Sequence, residues 1–158
     1  MRHAFLSLLL LFVVSGCDSG EDETQLDAEF YVGSWVLTAV SDDSGDLSEG
    51  VFTVVDELAA SFQSSGNFRL DADLSDLAND FLNIADISIE GTYQAVSATQ
   101  TLVLLVDQNG TTIAPSFTIE RTSDDLIDLV APGAVVAELL GGLPLEFTGD
   151  VALTVQRQ

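Results

Sequence analysis

The chain has no lysine, a single histidine and a single cysteine among its 158 residues. Each shortage removes some chemistry. Without lysine there is no Schiff base. One cysteine cannot close an internal disulfide, so the fold has to be held by its core. His3 and Cys17 both fall within the first seventeen residues. The rest of the chain therefore cannot build a Ser-His-Asp triad, a cysteine nucleophile or a His/Cys zinc site. Positive charge is scarce as well. Four arginines stand against 26 acids, for a formal net charge of −22. With no basic patch to hold phosphates, nucleic acid is excluded as a partner. No apolar run reaches the ~20 residues that a bilayer-spanning helix needs.

Carboxylate chemistry remains open. A glycosidase would need two carboxylates ~5–9.5 Å apart across a cleft, and no pair stands out from so many acids. Asp71-Ala-Asp73-Leu-Ser75-Asp76 starts like a calcium loop. It has Asp76 where the loop needs glycine and Leu82 where it needs glutamate. We therefore expect a non-enzyme, with no catalytic residue, resident metal or cofactor. Self-repulsion among the acids is relaxed by salt, which fits a salt-adapted organism. The acidic surface is open to a cationic protein or to diffuse cations.

The N-terminus carries its own signal. Arg2 and His3 precede an eleven-residue apolar run, Ala4 to Val14, followed by Ser15, Gly16 and Cys17. That run suits a secretory leader. Val14-Ser15-Gly16-Cys17 resembles the lipobox of bacterial lipoproteins. The resemblance implies cleavage before Cys17, a lipid on its thiol and attachment to a membrane of the cell envelope. The outer membrane is favoured, periplasmic or surface-exposed, with the inner membrane as the alternative. Residues 1–16 then form the signal peptide. Residues 17–28 form the lipidated cysteine and an acidic, flexible tether. Residues 29–158 form the domain.

From Glu29 onward the dominant pattern is period-two alternation, broken by Gly, Asn, Asp and Ser clusters. Trp35, Leu37 and Ala39 are expected on one face of a first strand, and Val51 to Gln63 reads as a long or broken strand. Gly66-Asn67 and Asn109-Gly110 mark hairpins. Thr101 to Val106 reads as a strand covered on both faces. Leu74, Leu77, Ala78, Phe81 and Leu82 share a helical face, so a short helix is expected at 74–82 with Asp73 as its N-cap. A second is expected at 132–140. The last strand is placed at about 145–156. The total of about eight strands with short turns implies an up-and-down antiparallel barrel or a related sandwich.

The opening Gly33-x-Trp35, the hairpin from Ala60 to Leu70, Gly91-Thr92-Tyr93 and the arginine near the C-terminus occur in an order similar to that of small lipocalin-like lipoproteins. This resemblance implies an all-β, lipocalin-like barrel of about eight strands with one or two short helical inserts. It also implies closure of one barrel end by Gly33, Trp35 and an arginine, with Arg157 ahead of Arg121. A small hydrophobic ligand is the corresponding partner. Inward positions that could line its site are Phe62, Phe68, Leu70, Ile89, Tyr93, Leu104, Phe117 and Leu153. The same residues also serve as plain core. A filled interior, with no pocket of a few hundred Å³, would sink the ligand reading. Two other roles suit the composition: an acidic interaction or inhibitor module for a cationic partner, and a structural, salt-adapted surface protein.

Overall fold

A computed structural model describes residues 28–82, 86–108, 110–140, 143 and 145–158. The leader, Cys17 and almost all of the tether lie outside the described residues. The chain enters through α1 (Ala28–Tyr31) and turns into β1 (Gly33–Asp42). Gly33 makes that corner at φ +131°, a region side-chain-bearing residues rarely adopt. After a two-residue arm, β2 (Gly45–Asp46), come α2 (Ser48–Val54), β3 (Val55–Phe62), β4 (Asn67–Leu74) and α3 (Asp76–Leu82). Then follow β5 (Ile87–Val96), β6 (Thr101–Gln108), the short β7 (Thr111–Ile113), β8 (Ser116–Arg121) and β9 (Leu126–Pro132). The chain ends with α4 (Gly133–Leu139) and β10 (Asp150–Arg157).

Eight strands form a closed antiparallel barrel in the order β1-β3-β4-β5-β6-β8-β9-β10. Closure comes from β10 pairing with β1, from Trp35↔Arg157 to Asp42↔Val151. Short turns between neighbours produce this up-and-down order, and closing the sheet removes its open edges. β2 and β7 are side arms on β1 and β6. The expected hairpins form: Gly66 has φ +83° and Gly110 φ +82°. Gly110 N–H donates to Asp107 Oδ1 at 2.9 Å.

Several elements differ in detail from the pattern in the sequence. Thr38 is an extra residue in β1 opposite β10. This bulge moves the inward face from Trp35 and Leu37 to Val40, leaving Ala39 half-buried. The stretch from Val51 to Gln63 is not one strand, because its first residues belong to α2. Leu74 belongs to β4, and α3 begins at Asp76. Ser75, not Asp73, caps it: Ala78 N–H donates to Ser75 Oγ at 3.2 Å, and that hydroxyl donates to Thr53 O at 2.8 Å. The later start turns Leu77 outward, 50% exposed, while Ala78 stays buried. In β6 only Leu102, Leu104 and Val106 are buried, and the outer Val103 and Leu105 are half-covered. The last strand starts at Asp150, and residues 145–148 are irregular.

Hydrogen bonds hold several acids below the usual carboxylate range. Asp42 is held by the Ser44 hydroxyl and then by the Thr148 N–H, and Asp46 by the Ser48 hydroxyl and N–H. Asp71 is held by Arg69 and then by the Ser88 hydroxyl. Depressed folded values stabilise the fold above the unfolded pKa, 3.8 for these aspartates. That contribution is lost as pH falls through the lower folded values. The melting temperature is therefore expected to fall as pH drops below about 3.8. At pH 7 it should rise with added salt. Melts followed by circular dichroism test this, and a salt-independent melting temperature at pH 7 would show that repulsion is not significant.

Candidate functional site

The two barrel ends are built differently. At the first, Trp35 is 1% exposed, and its indole Nε1–H donates to Tyr31 O at 2.9 Å. The Arg157 guanidinium lies over the indole, 4.6 Å from its centroid, and 5.3 Å from the Phe30 ring. It donates through Nη2 to Phe30 O and through Nη1 to Val32 O at 3.5 Å. Its Nε is 3.8 Å from Asp125 and makes no hydrogen bond. One arginine thus stacks on the aromatic face and ties α1 to the last strand, a contact worth ~0.5–2 kcal/mol for the cation–π part alone. Of the three residues that the sequence placed at one closure, Trp35 and Arg157 are in contact here and Gly33 makes the corner into β1. Arg121 sits in β8 opposite Ile127.

Inside, two small apolar voids of about 60 and 20 Å³ separate the walls. Six of the eight residues named for the interior line the larger one: Phe62, Phe68, Leu70, Leu104, Phe117 and Leu153. Ile89 and Tyr93 are buried but do not reach it. Tyr93 packs edge-on against Phe62, with centroids 5.0 Å apart, and its hydroxyl donates to Gln63 O at 3.0 Å. Burial pushes the Tyr93 hydroxyl pKa up. The void is smaller than the few hundred Å³ of a usual ligand pocket. In this state the barrel is essentially filled by its own side chains.

The second end, the mouth, is closed by parts that do not belong to the barrel wall. Val51 of α2, Val136 and Leu139 of α4, and Leu145 and Phe147 after α4 complete the lining of the larger void. The sequence placed Val136 and Leu139 on an expected helix at 132–140, an insert either capping one mouth or lying across the outside, but named none of the five as lining; Val51, Leu145 and Phe147 were assigned to strands. Leu47 N–H donates to Val40 O at 2.8 Å, and Val40 N–H donates to Ser48 Oγ at 3.0 Å, which docks α2 on the mouth end of β1. The 145–149 stretch is fixed at its far end. Thr148 N–H donates to Asp42 Oδ2 at 2.7 Å, and Gly133 N–H donates to Gly149 O at 2.8 Å. Gly133 also makes room for the plug, since a Cβ there would lie 2.6 Å from Phe147 Cβ.

Among the described residues, no three His, Cys, Asp or Glu side chains gather as a metal site. None of their helices is long and apolar enough to cross a membrane.

A closed eight-stranded antiparallel barrel with an apolar interior and an arginine-on-tryptophan end is a lipocalin-like fold. No family model and no curated protein matches the sequence. Among solved structures the chain is similar to insecticyanin from the tobacco hornworm, Manduca sexta, with a TM-score of 0.52 and 8% identity. The likeness covers 84% of this chain and 64% of insecticyanin, so the chain spans less than two thirds of that protein's length. At this identity the likeness concerns the fold alone.

Proposed function

We propose that the chain is an envelope lipoprotein, anchored through a lipid on Cys17, that binds a small apolar ligand in its barrel and catalyses no reaction. The binding part is carried by one observation: the larger void is wholly apolar and lies directly beneath the plug of α2, α4 and Leu145–Phe147. A void of about 60 Å³ is too small for a ligand of ordinary size. Binding therefore requires Leu145 and Phe147 to withdraw, which adds their volume to the site. The plug suits such a motion because residues 145–148 belong to no strand or helix. The anchoring part is supported by Val14-Ser15-Gly16-Cys17 after a short apolar leader. Two or more acyl chains give stable attachment, at ~0.8 kcal/mol per buried methylene.

Intact-mass measurement of protein gently extracted from membranes tests both parts. The expected species lacks residues 1–16, carries added acyl mass, and releases a non-covalent small molecule on activation. An unmodified Cys17 sinks the anchor. An empty barrel that also fails to take up added 1-octanol sinks the ligand.

A further inference from the structure

We propose that the groove between α2 and residues 145–147 is the portal to the interior, and that it admits an apolar molecule with a cationic head while turning anionic amphiphiles away. This rests on the ligand reading above and adds the route and the charge of the ligand.

The route follows from shared walls. Outside the barrel, a groove of about 580 Å³ runs between α2 and the segment after α4. Its lining includes Val51, Leu145 and Phe147, which also line the interior void. Withdrawal of these shared side chains is the step that would join the groove to the void. Here α2, not a neighbouring strand, covers the mouth end of β1. β1 and β3 pair only from Gly33↔Phe62 to Val36↔Ala59. Past that point β1 continues to Asp42 while α2 stands before β3.

The charge preference follows from where the cations are. Asp46, Glu49 and Glu146 line the groove, with no arginine among its described lining residues. The three arginines beyond the leader trace along the sheet ladders to the Ser34–Leu37 half of β1. Arg69 pairs with Ser61 and through it with Ser34. Arg121 reaches Leu37 through Ile127 and Val155. Arg157 pairs with Trp35. Arg69 and Arg157 are also engaged at their own sites, by Asp71 and Glu90 and by the Trp35 face. A carboxylate head on an incoming amphiphile would meet three carboxylates and, among the described lining residues, no cation to offset its lost water. An ammonium head would be drawn toward the same groove by the field.

The test uses octylammonium, 1-octanol and octanoate, titrated calorimetrically into the protein at pH 7 and low salt. Octylammonium should bind at least about tenfold tighter than octanoate, with octanol between them, and 1 M salt should shrink the spread. The double variant Glu49→Gln/Glu146→Gln should bring the three affinities together while leaving octanol unchanged. Gly50→Trp places a ring over the groove, where a Cβ meets nothing within 4 Å, and should slow association of all three. Octanoate binding as tightly as octylammonium overturns the charge selection and leaves the ligand reading standing. Unchanged association in Gly50→Trp overturns the route. If octanol does not bind at all, the ligand reading falls and this proposal falls with it. Octylammonium binding without octanol binding is surface adsorption and also counts against both.

Discussion

Trp35→Ala is expected to remove about 3–5 kcal/mol of unfolding free energy, a large share of the ~5–15 kcal/mol that holds a domain of this size. The indole is 1% exposed and sits where three separate chain segments meet. The Phe30 ring is 5.7 Å away and the Arg157 guanidinium 4.6 Å away, and the two also touch each other at 5.3 Å. Truncation empties that space and removes the indole N–H bond to Tyr31 O. It also takes the aromatic face from Arg157, whose remaining bonds go to the carbonyls of Phe30 and Val32. Trp35→Phe keeps a ring and should cost roughly half as much. Arg157→Lys keeps the charge but loses the planar fork that stacks and reaches two carbonyls, so it should also destabilise, by about 1–2 kcal/mol. Urea unfolding followed by circular dichroism measures all three. A Trp35→Ala cost under about 1 kcal/mol would mean that this end of the barrel is not packed as described.

The closed end was legible because its parts are local. Gly33-x-Trp35 lies within one strand, and Arg157 is one of only three cations beyond the leader. The strands were legible because alternation reports which face is inward. Alternation does not report height along the barrel axis. Hence Ile89 and Tyr93 were placed with the lining residues, although Tyr93 belongs to the aromatic cluster around Phe62. The mouth was legible only in its 132–140 helix, while Val51 to Val54 of α2 and residues 145–147 were read as strand. α2 contains Gly50 and the β-branched Val51, Thr53, Val54, a poor helix sequence by propensity. It is helical because docking on β1 and burial of Val51 outweigh that preference. Leu145 and Phe147 alternate with polar residues as a strand would. Gly149, at φ +71°, and the bonds from Asp42 and Gly133 turn the segment over the barrel instead. A one-residue bulge such as Thr38 leaves no compositional trace, yet it decides that Val40, not Ala39, reaches the interior.

Gly91 gives the second large effect, and there the structure reverses what propensity alone implies. Glycine inside a strand is normally a weakness, so Gly91→Ala would be expected to stabilise β5. The space forbids it. A Cβ at 91 would lie 2.2 Å from Leu105 O and 2.8 Å from Phe68 Cε1. The Phe68 ring can tilt, but the Leu105 carbonyl is part of β6, so relief requires the β5–β6 ladder itself to move. Gly91→Ala should therefore cost about 1–3 kcal/mol, and Gly91→Val more, because a branched side chain crowds both neighbours. The two contacts can be separated. Phe68→Leu shortens one obstacle and leaves the carbonyl in place. In the double variant Gly91→Ala/Phe68→Leu, the alanine should be less harmful than in the native background but still destabilising. The coupling from that cycle measures how much of the clash belongs to the ring. A neutral or stabilising Gly91→Ala would place β5 and β6 farther apart than they are here. Full rescue by Phe68→Leu would make the aromatic ring, and not the neighbouring strand's backbone, the reason that glycine occupies this position.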